Sequence, residues 1–239
     1  MLNEGGKAAI LAGAGALQAR QEVLAAAELL GAPVIKTLSG KAVIPDDSEF
    51  AVGGIGLLGT RPGESLVEDC DTLFMIGTNF PYAQHLPPPG KVRVVQIDAD
   101  PTRACVRMPT EVPVIGDARE SLQALIPLLT RKSDRGHLEK YQQDMTKWRQ
   151  EIEALENPDR SPIAPQYPVR VLDDLAAAGR RPGRARPPSR AAAPAGPRPR
   201  QKKRSWRCQR ALAFLLARPA AVRSLAAPAV LSVPSADSR

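Results

Sequence analysis

Aromatic side chains make up only 4% of the 239 residues. A core built from this chain must therefore rest on Ala, Val, Leu and Ile, which the 43% hydrophobic content supplies. Cysteine is as scarce. Cys70, Cys105 and Cys208 share no metal-ligand spacing, and their odd number argues against a disulfide framework. That usage fits a reducing, cytoplasmic setting. No apolar run reaches the roughly 18 residues of a membrane span, so no spanning helix is expected. The N-terminus has no basic stretch followed by an apolar segment and a cleavage site, so it does not read as a secretory signal.

Acids are almost absent from the last quarter of the chain. Residues 178–239 hold 15 Lys and Arg against one acid, Asp237, while residues 1–177 hold 18 basic and 24 acidic side chains. The net charge of +8 thus divides into −6 before residue 178 and +14 after it. A basic chain suggests nucleic acid, but here the suggestion comes from the tail alone, so nucleic acid is not expected as a partner of the domain. The tail is an Arg/Ala/Pro-rich segment that cannot bury enough apolar surface to offset its ordering entropy. Its Gln201-Lys202-Lys203-Arg204-Ser205-Trp206-Arg207 stretch mixes charge with one aromatic, and it keeps open a protein that grips nucleic acid or anionic lipid. The competing reading is an unselected disordered tail.

Before the tail, short apolar runs alternate with helix-forming stretches. Residues 7–12 read as a strand and 17–30 as a helix with Val23, Ala26, Ala27 and Leu30 on one face. Residues 34–38 read as a second strand. Residues 45–63, rich in glycine, read as a long loop, and a short helix follows from Arg61 to near Asp69. Strands are expected over 71–77, 92–98 and 112–115, with Asp117 capping a helix that runs to residue 129. The expected fold is α/β: a parallel sheet with helices on both faces, Rossmann-like. Residues 133–155 read as a polar helix anchored by Trp148, Ile152 and Leu155, followed by a Pro-rich linker and a helical piece over 169–175. The expected organisation is a domain over 1–132, a helical linker over 133–177 and the tail over 178–239.

In an open parallel sheet, ligands bind outside the carboxyl ends of the strands. Four such ends are small, polar or glycine-rich: Gly13-Ala14-Gly15, residues 37–41, residues 77–81 and Asp98. Glycine lets a backbone approach phosphate, and amides at a helix start can donate to it. Four such ends together favour a nucleotide site over the alternative, an α/β scaffold without a ligand. The nicotinamide fingerprint is broken, because Gln18 stands where its third glycine belongs and no acid ends the second strand. His85, in a Pro-rich loop, reads as a surface or packing residue without cofactor contact. Asp46, Asp47 and Glu49 read as a solvated turn rather than a metal site. Neither histidine has a nucleophile beside it, and no general acid–base pair is apparent.

The segment Gly77-Thr78-Asn79-Phe80-Pro81-Tyr82 resembles a motif of pyruvate oxidases and quinone-dependent pyruvate dehydrogenases, which are thiamine diphosphate enzymes. Leu11-Ala12-Gly13-Ala14-Gly15, Ala32-Pro33-Val34, Gly40-Lys41, residues 53–59, Val95-Gln96-Ile97-Asp98, Ile115-Gly116-Asp117 and Ile163-Ala164-Pro165-Gln166-Tyr167 agree with it in order and spacing. The resemblance covers about residues 2–177. It implies the central domain of a three-domain enzyme. In the flavin-dependent branch that domain binds FAD, and the contacts would fall on Gly56-Leu57-Leu58-Gly59, on Gly77, Thr78, Asn79, Phe80 and Pro81, and on Asp98. Gly13, Lys41 and Asp117 are further carry-overs. The family's thiamine-activating glutamate would precede Met1. Its Gly-Asp-Gly…Asn signature for magnesium and the diphosphate would follow Leu175. Neither is in this sequence, so thiamine diphosphate and Mg2+ are not expected to bind this chain alone. The implied function is an inactive fragment of such an enzyme, a homo-oligomer when intact. The alternatives are a stand-alone adenine-nucleotide-binding module and a fragment of an acetolactate synthase-like enzyme. The tail has the look of a GC-rich reading frame translated out of phase.

Overall fold

The computed structural model describes residues 1–179. The tail expected over 178–239 lies almost wholly outside the described residues. Six strands form one sheet: β1 (Ala8–Ala12), β2 (Val34–Lys36), β3 (Ala51–Gly54), β4 (Thr72–Ile76), β5 (Arg93–Asp98) and β6 (Val112–Ile115). Their order is β3-β2-β1-β4-β5-β6 and every pairing is parallel. Among the described residues, five α-helices accompany the sheet: α1 (Arg20–Leu30), α2 (Arg61–Asp69), α3 (Ala118–Leu125), α4 (Gly136–Leu155) and α5 (Gln166–Gly179).

The two faces of the sheet build two cores. Ala8, Ile10 and Ala12 of β1 join Phe74, Ile76, Val95 and Ile97 beneath α1 and α3. Ala9 and Leu11 join Ile35, Leu73, Met75 and Val94 beneath α2 and α4. Every residue of β1 and β4 is buried. That is why these strands read as unbroken apolar runs rather than as an alternation. The expected face of α1 is the buried one, with Val23, Ala26, Ala27 and Leu30 all at 0–1% exposure. Gly31, left-handed at φ 57°, ends that helix by donating to the Ala27 and Glu28 carbonyls.

Three local expectations are corrected. Residues 45–63 are not all loop, because β3 lies inside them and pairs with β2 across a register shift. The helix after Asp117 stops at Leu125, and residues 126–128 form a tighter turn. Pro127 has no N–H to donate and its ring crowds the preceding turn. The anchors of α4 are Leu138, Tyr141 and Met145, with Trp148 only partly buried against the core that holds Tyr141 and Met145. Ile152 and Leu155 are half-buried at its far end.

Candidate functional site

Strand order reverses direction between β1 and β4, and in such folds a crevice opens there. Here the loops leaving β1, β2 and β4 fill it by stacking on one another. The Gly13 amide donates to the Ile76 carbonyl (2.9 Å) and the Gly15 amide to the Gly77 carbonyl (3.0 Å). A Cβ on Gly15 would stand 2.8 Å from the Gly77 Cα, one on Gly77 2.5 Å from the Gly15 carbonyl carbon, and one on Gly40 2.7 Å from the Gly13 Cα. These glycines are needed for backbone-on-backbone contact within the protein itself. The amides of Gly13 and Gly15 are already bonded, so a ligand would lie above these loops, on the segments that follow them.

Those segments carry the remaining candidates. Thr78 is buried, and its carbonyl accepts from the Gln96 side chain (3.2 Å). Gln96 is itself 2% exposed and also accepts from the Cys105 amide (3.0 Å) and the Thr110 hydroxyl (3.3 Å). It thus ties the exit of β4 to the loop after β5, where Cys105 holds φ 63°. The sequence offered no sign of this role, since a glutamine within an apolar strand has no characteristic spacing. Next along the chain, the Asn79 Oδ1 is buried and has no hydrogen-bond partner. An unpaired buried acceptor costs about 1–3 kcal/mol. Asp98, half-buried at the end of β5, turns Oδ1 to the Asp100 amide (3.0 Å).

Asp117 lies at the end of β6, one strand further out. Its Oδ1 accepts from the Arg119 and Glu120 amides (2.8 and 3.1 Å), capping α3. Gly56, Leu57, Leu58 and Gly59 form a turn after β3, closed by the Gly59 amide donating to the Gly56 carbonyl (2.7 Å). Leu57 projects from it at 68% exposure. The loop after β4 reaches back over this turn: a Cβ on Gly56 would stand 3.0 Å from the Phe80 ring and 3.8 Å from the His85 Cδ2. Pro81 is exposed beside Phe80, whose ring meets Tyr82 edge-on at 5.5 Å. The structure therefore gathers the 56–59 turn with Phe80 and His85, and places Gly77, Thr78 and Asp98 on adjoining strand ends. His85 is a packing residue, as the sequence suggested, but it packs inside the candidate site.

A cavity of about 330 Å³ opens beside this region, between the ends of β2 and β3 and the helices α4 and α5. Lys36, Asp46, Trp148, Arg149 and Glu156 are among its walls. Lys36 is 2% exposed. Its ammonium donates to the Ile44 carbonyl (2.9 Å) and pairs with Asp46, which Lys41 approaches at 3.5 Å. Asp46 is thus an ion-pair anchor rather than part of a solvated turn. Burial raises the Glu156 carboxyl above its ordinary range, against the pull of Arg170.

At the opposite end of the sheet, Lys7 and Lys140 hold the Asp69 carboxyl down at about 2. Beside it, His137 has a buried, unpaired Nε2. Burial lowers its affinity for a proton. Burial also pushes the Cys70 thiol up to about 12, so this cysteine is not a nucleophile. Among the described residues, no group of three or more His, Cys, Asp or Glu is placed to hold a metal ion, and no helix is long and apolar enough to cross a membrane.

A comparison with protein families bears on the whole arrangement. The model of the thiamine pyrophosphate enzyme central domain matches residues 1–125. The chain belongs to this family of thiamine pyrophosphate enzymes. Its sequence is 36% identical over 176 residues to YdaP of Bacillus subtilis, described as a thiamine pyrophosphate-containing protein, covering 74% of this chain and 30% of that one. It is 28% identical over 155 residues to the large subunit of acetolactate synthase isozyme 3 of Escherichia coli, covering 62% and 26%. It is 23% identical over 165 residues to the pyruvate oxidase of Lactiplantibacillus plantarum, covering 69% and 27%. The chain thus spans about a third or less of the length of these family members.

Proposed function

We propose that this chain is the nucleotide-binding central part of a flavin-linked, pyruvate oxidase-type thiamine diphosphate enzyme, and that it holds FAD along the carboxyl ends of the sheet. The observation that carries the reading is the Asn79 Oδ1. It is a buried acceptor without a partner, in the Gly77-Thr78-Asn79-Phe80-Pro81 segment, and a ligand N–H or O–H would satisfy it. The remaining groups fit an extended dinucleotide. The Gly56 to Gly59 turn offers backbone to the pyrophosphate, and the free oxygen of Asp98 offers an acceptor to ribose or adenine. The exposed Leu57 and half-buried Leu58 offer apolar surface to a ring. Asp117 is a weaker member, because both of its amide partners belong to α3.

FAD, when bound, would accept the electron pair released on oxidation of a 2-oxo acid such as pyruvate. The chain's own residues would bind and orient the cofactor. Activation of thiamine diphosphate, and the magnesium that accompanies it, would rest on domains outside residues 1–239. The domain proper would span 1–132, with 133–177 leading towards a further domain. The chain alone is therefore expected to bind flavin weakly and to turn nothing over.

Flavin fluorescence quenching tests this directly. Wild type should bind FAD at roughly micromolar affinity, or about −8 kcal/mol. Asp98→Ala, losing a hydrogen bond to a charged group, should weaken binding by about tenfold or more, a cost of roughly 1.5–3 kcal/mol. Asn79→Leu should weaken it as well, without loss of thermal stability, because the leucine leaves no acceptor unpaired. Absence of quenching at 100-fold higher FAD would refute the reading. Equal affinity for ADP and FAD would instead favour an adenine-nucleotide module.

A further inference from the structure

We propose that the cavity between the sheet and the helices α4 and α5 is a second ligand site, one that takes a small monocarboxylate with a flat apolar body and holds its carboxylate on Arg149. The proposal does not depend on the flavin reading. Of the flavin candidates, only Gly59 and the further carry-over Lys41 stand in its walls. Its volume of about 330 Å³ falls at the small end of the range of about 300–1,000 Å³ for ligand cavities. That suits a small organic acid and is too little for a dinucleotide. Met145, Trp148 and Ile152 of α4 and Val169 of α5 give the cavity an apolar side. Met145 and Val169 are buried, so that side is built into the fold. Trp148 is partly buried, with the Arg61 guanidinium over its ring at 5.0 Å. Arg61 is itself paired with Glu151, so the indole is a held plate against which a flat body can pack.

The sign of the ligand follows from the charged walls. Lys36, Lys41, Arg149 and Arg170 are set against Asp46, Glu153 and Glu156, one more cation than acid, in a stretch whose net charge is −6 over residues 1–177. Burial, which raises the Glu156 carboxyl above its ordinary range, widens that surplus. Lys36 and Lys41 pair with Asp46, and Arg170 pairs with Glu156 and Asp174. Arg149 is different. Among the described residues no carboxylate stands within ion-pair distance of it, not even Glu153, one helical turn away on the same wall. Instead its Nη2 donates to the backbone carbonyl of Asp46 (3.0 Å). That bond fixes the guanidinium and leaves the rest of its N–H groups for a ligand. A planar fork of donors matches the two oxygens of a carboxylate. One surplus charge suits a monoanion better than a phosphate monoester, which carries about −1.5 to −2. The facing wall, with Gln166, Val169 and Arg170, belongs to α5, so an occupant would fasten α5 to α4.

Trp148 itself reports on the test. Trp206→Phe, outside the described residues, leaves Trp148 as the sole indole of the chain, and its fluorescence is titrated with phenylacetate. A saturable change with a millimolar midpoint is expected for so small a probe. Phenylacetamide, the uncharged counterpart, and phenethylamine, the cation, should bind at least about tenfold more weakly, as follows from loss of a hydrogen bond to a charged group. Acetate, which lacks the ring, should give no saturable change. In the same background Arg149→Leu should lose about tenfold or more in affinity for phenylacetate and nothing for phenylacetamide. Arg149→Lys keeps the charge without the fork and should fall between. Arg149 is exposed, so both variants should melt with their parent. Amide exchange over residues 166–175 should slow when phenylacetate is bound. Asp98→Ala should leave phenylacetate binding unchanged, so failure of the flavin reading and failure of this one are separate results. No saturable response at tens of millimolar phenylacetate, equal affinity for the acid and its amide, tighter binding of the amine, or an unaltered response in Arg149→Leu would each overturn the proposal.

Discussion

Gly77 is the residue whose replacement should report most sharply on the stacked loops. It holds φ 58°, and a Cβ there would stand 2.5 Å from the Gly15 carbonyl carbon and 2.6 Å from the Ala16 amide nitrogen. Both contacts are backbone, which cannot swing aside as a side-chain tip would. Gly77→Ala then carries two costs. A left-handed L-residue costs roughly 1–2 kcal/mol, and forced overpacking in a close-packed region typically adds about 1–3 kcal/mol. Their sum, about 2–5 kcal/mol, corresponds to a fall of roughly 4–20 °C in melting temperature for a domain of this size. Gly90→Ala is the control. Its φ is 82°, but nothing lies within 4 Å of the added Cβ, so only the first cost applies and the fall should be about 2–8 °C. Both are read by thermal denaturation followed by circular dichroism, without ligand. Should the two variants melt within about 2 °C of each other, the loops after β1 and β4 are not in contact as described, and the glycine at 77 would have to be explained by a ligand instead.

Removing the cap of α3 with Asp117→Ala should cost about 0.5–2 kcal/mol in urea denaturation, with Asp117→Asn close to wild type; equal loss in both would deny the capping role. The Asp69 carboxyl, held at about 2 by Lys7 and Lys140, lies below its unfolded range near pH 3.9. Its contribution is complete above that range and is lost as pH falls towards 2, so Asp69→Asn should be less stable than wild type by about 1 kcal/mol at pH 6, discounted for its partial exposure. The gap between the two urea midpoints should close by pH 2, and a constant gap would contradict the assignment. For His137 the sign is the same, although the group is a base. Burial lowers its folded pKa, so the unfolded chain binds the proton more readily and stability declines as pH falls below the histidine range. His137→Phe should flatten that decline between pH 7 and 5 without lowering the melting point at pH 8, because it keeps the edge contact with Tyr141 and removes the unpaired Nε2.

The parts of the fold that were legible in the sequence are those where burial imposes a simple pattern. β1, β4 and β5 are covered on both faces and so read as continuous apolar runs, and α1 shows its buried face at helical spacing. β3 was illegible because it is short, ends in Gly53-Gly54 and exists only through its pairing with β2. The anchors of α4 were misplaced although Leu138, Tyr141 and Met145 lie at helical spacing. Trp148 carries the stronger apolar signal but is only partly buried, while Tyr141 is fully buried with its hydroxyl near Lys140 (3.1 Å). At the candidate site, the strand ends could be named in advance, because a parallel sheet directs its loops to one edge. That Gly13, Gly15, Gly40 and Gly77 would be consumed by contact among themselves could not, since a glycine that admits a phosphate and one that admits another backbone are the same letter. Nor could the meeting of Gly56 with Phe80 and His85, which depends on how a loop folds back.

The position of β1 in the sheet has a consequence for how this chain survives damage and synthesis. β1 is the seam: β2 and β3 lie to one side of it, and β4, β5 and β6 to the other. Among the described residues, no other strand bridges the two halves. Loss of the first dozen residues would leave two three-layered fragments, of two and three strands, each with a newly bared inner edge. Bared, apolar edges of that kind are templates for pairing between molecules. During synthesis the seam strand leaves the ribosome before the other five, yet its partner β4 follows some sixty residues later, so β1 must be kept from strange partners until then. Nicking near the N-terminus is accordingly predicted to produce aggregates, whereas cleavage beyond residue 155 should leave the sheet intact.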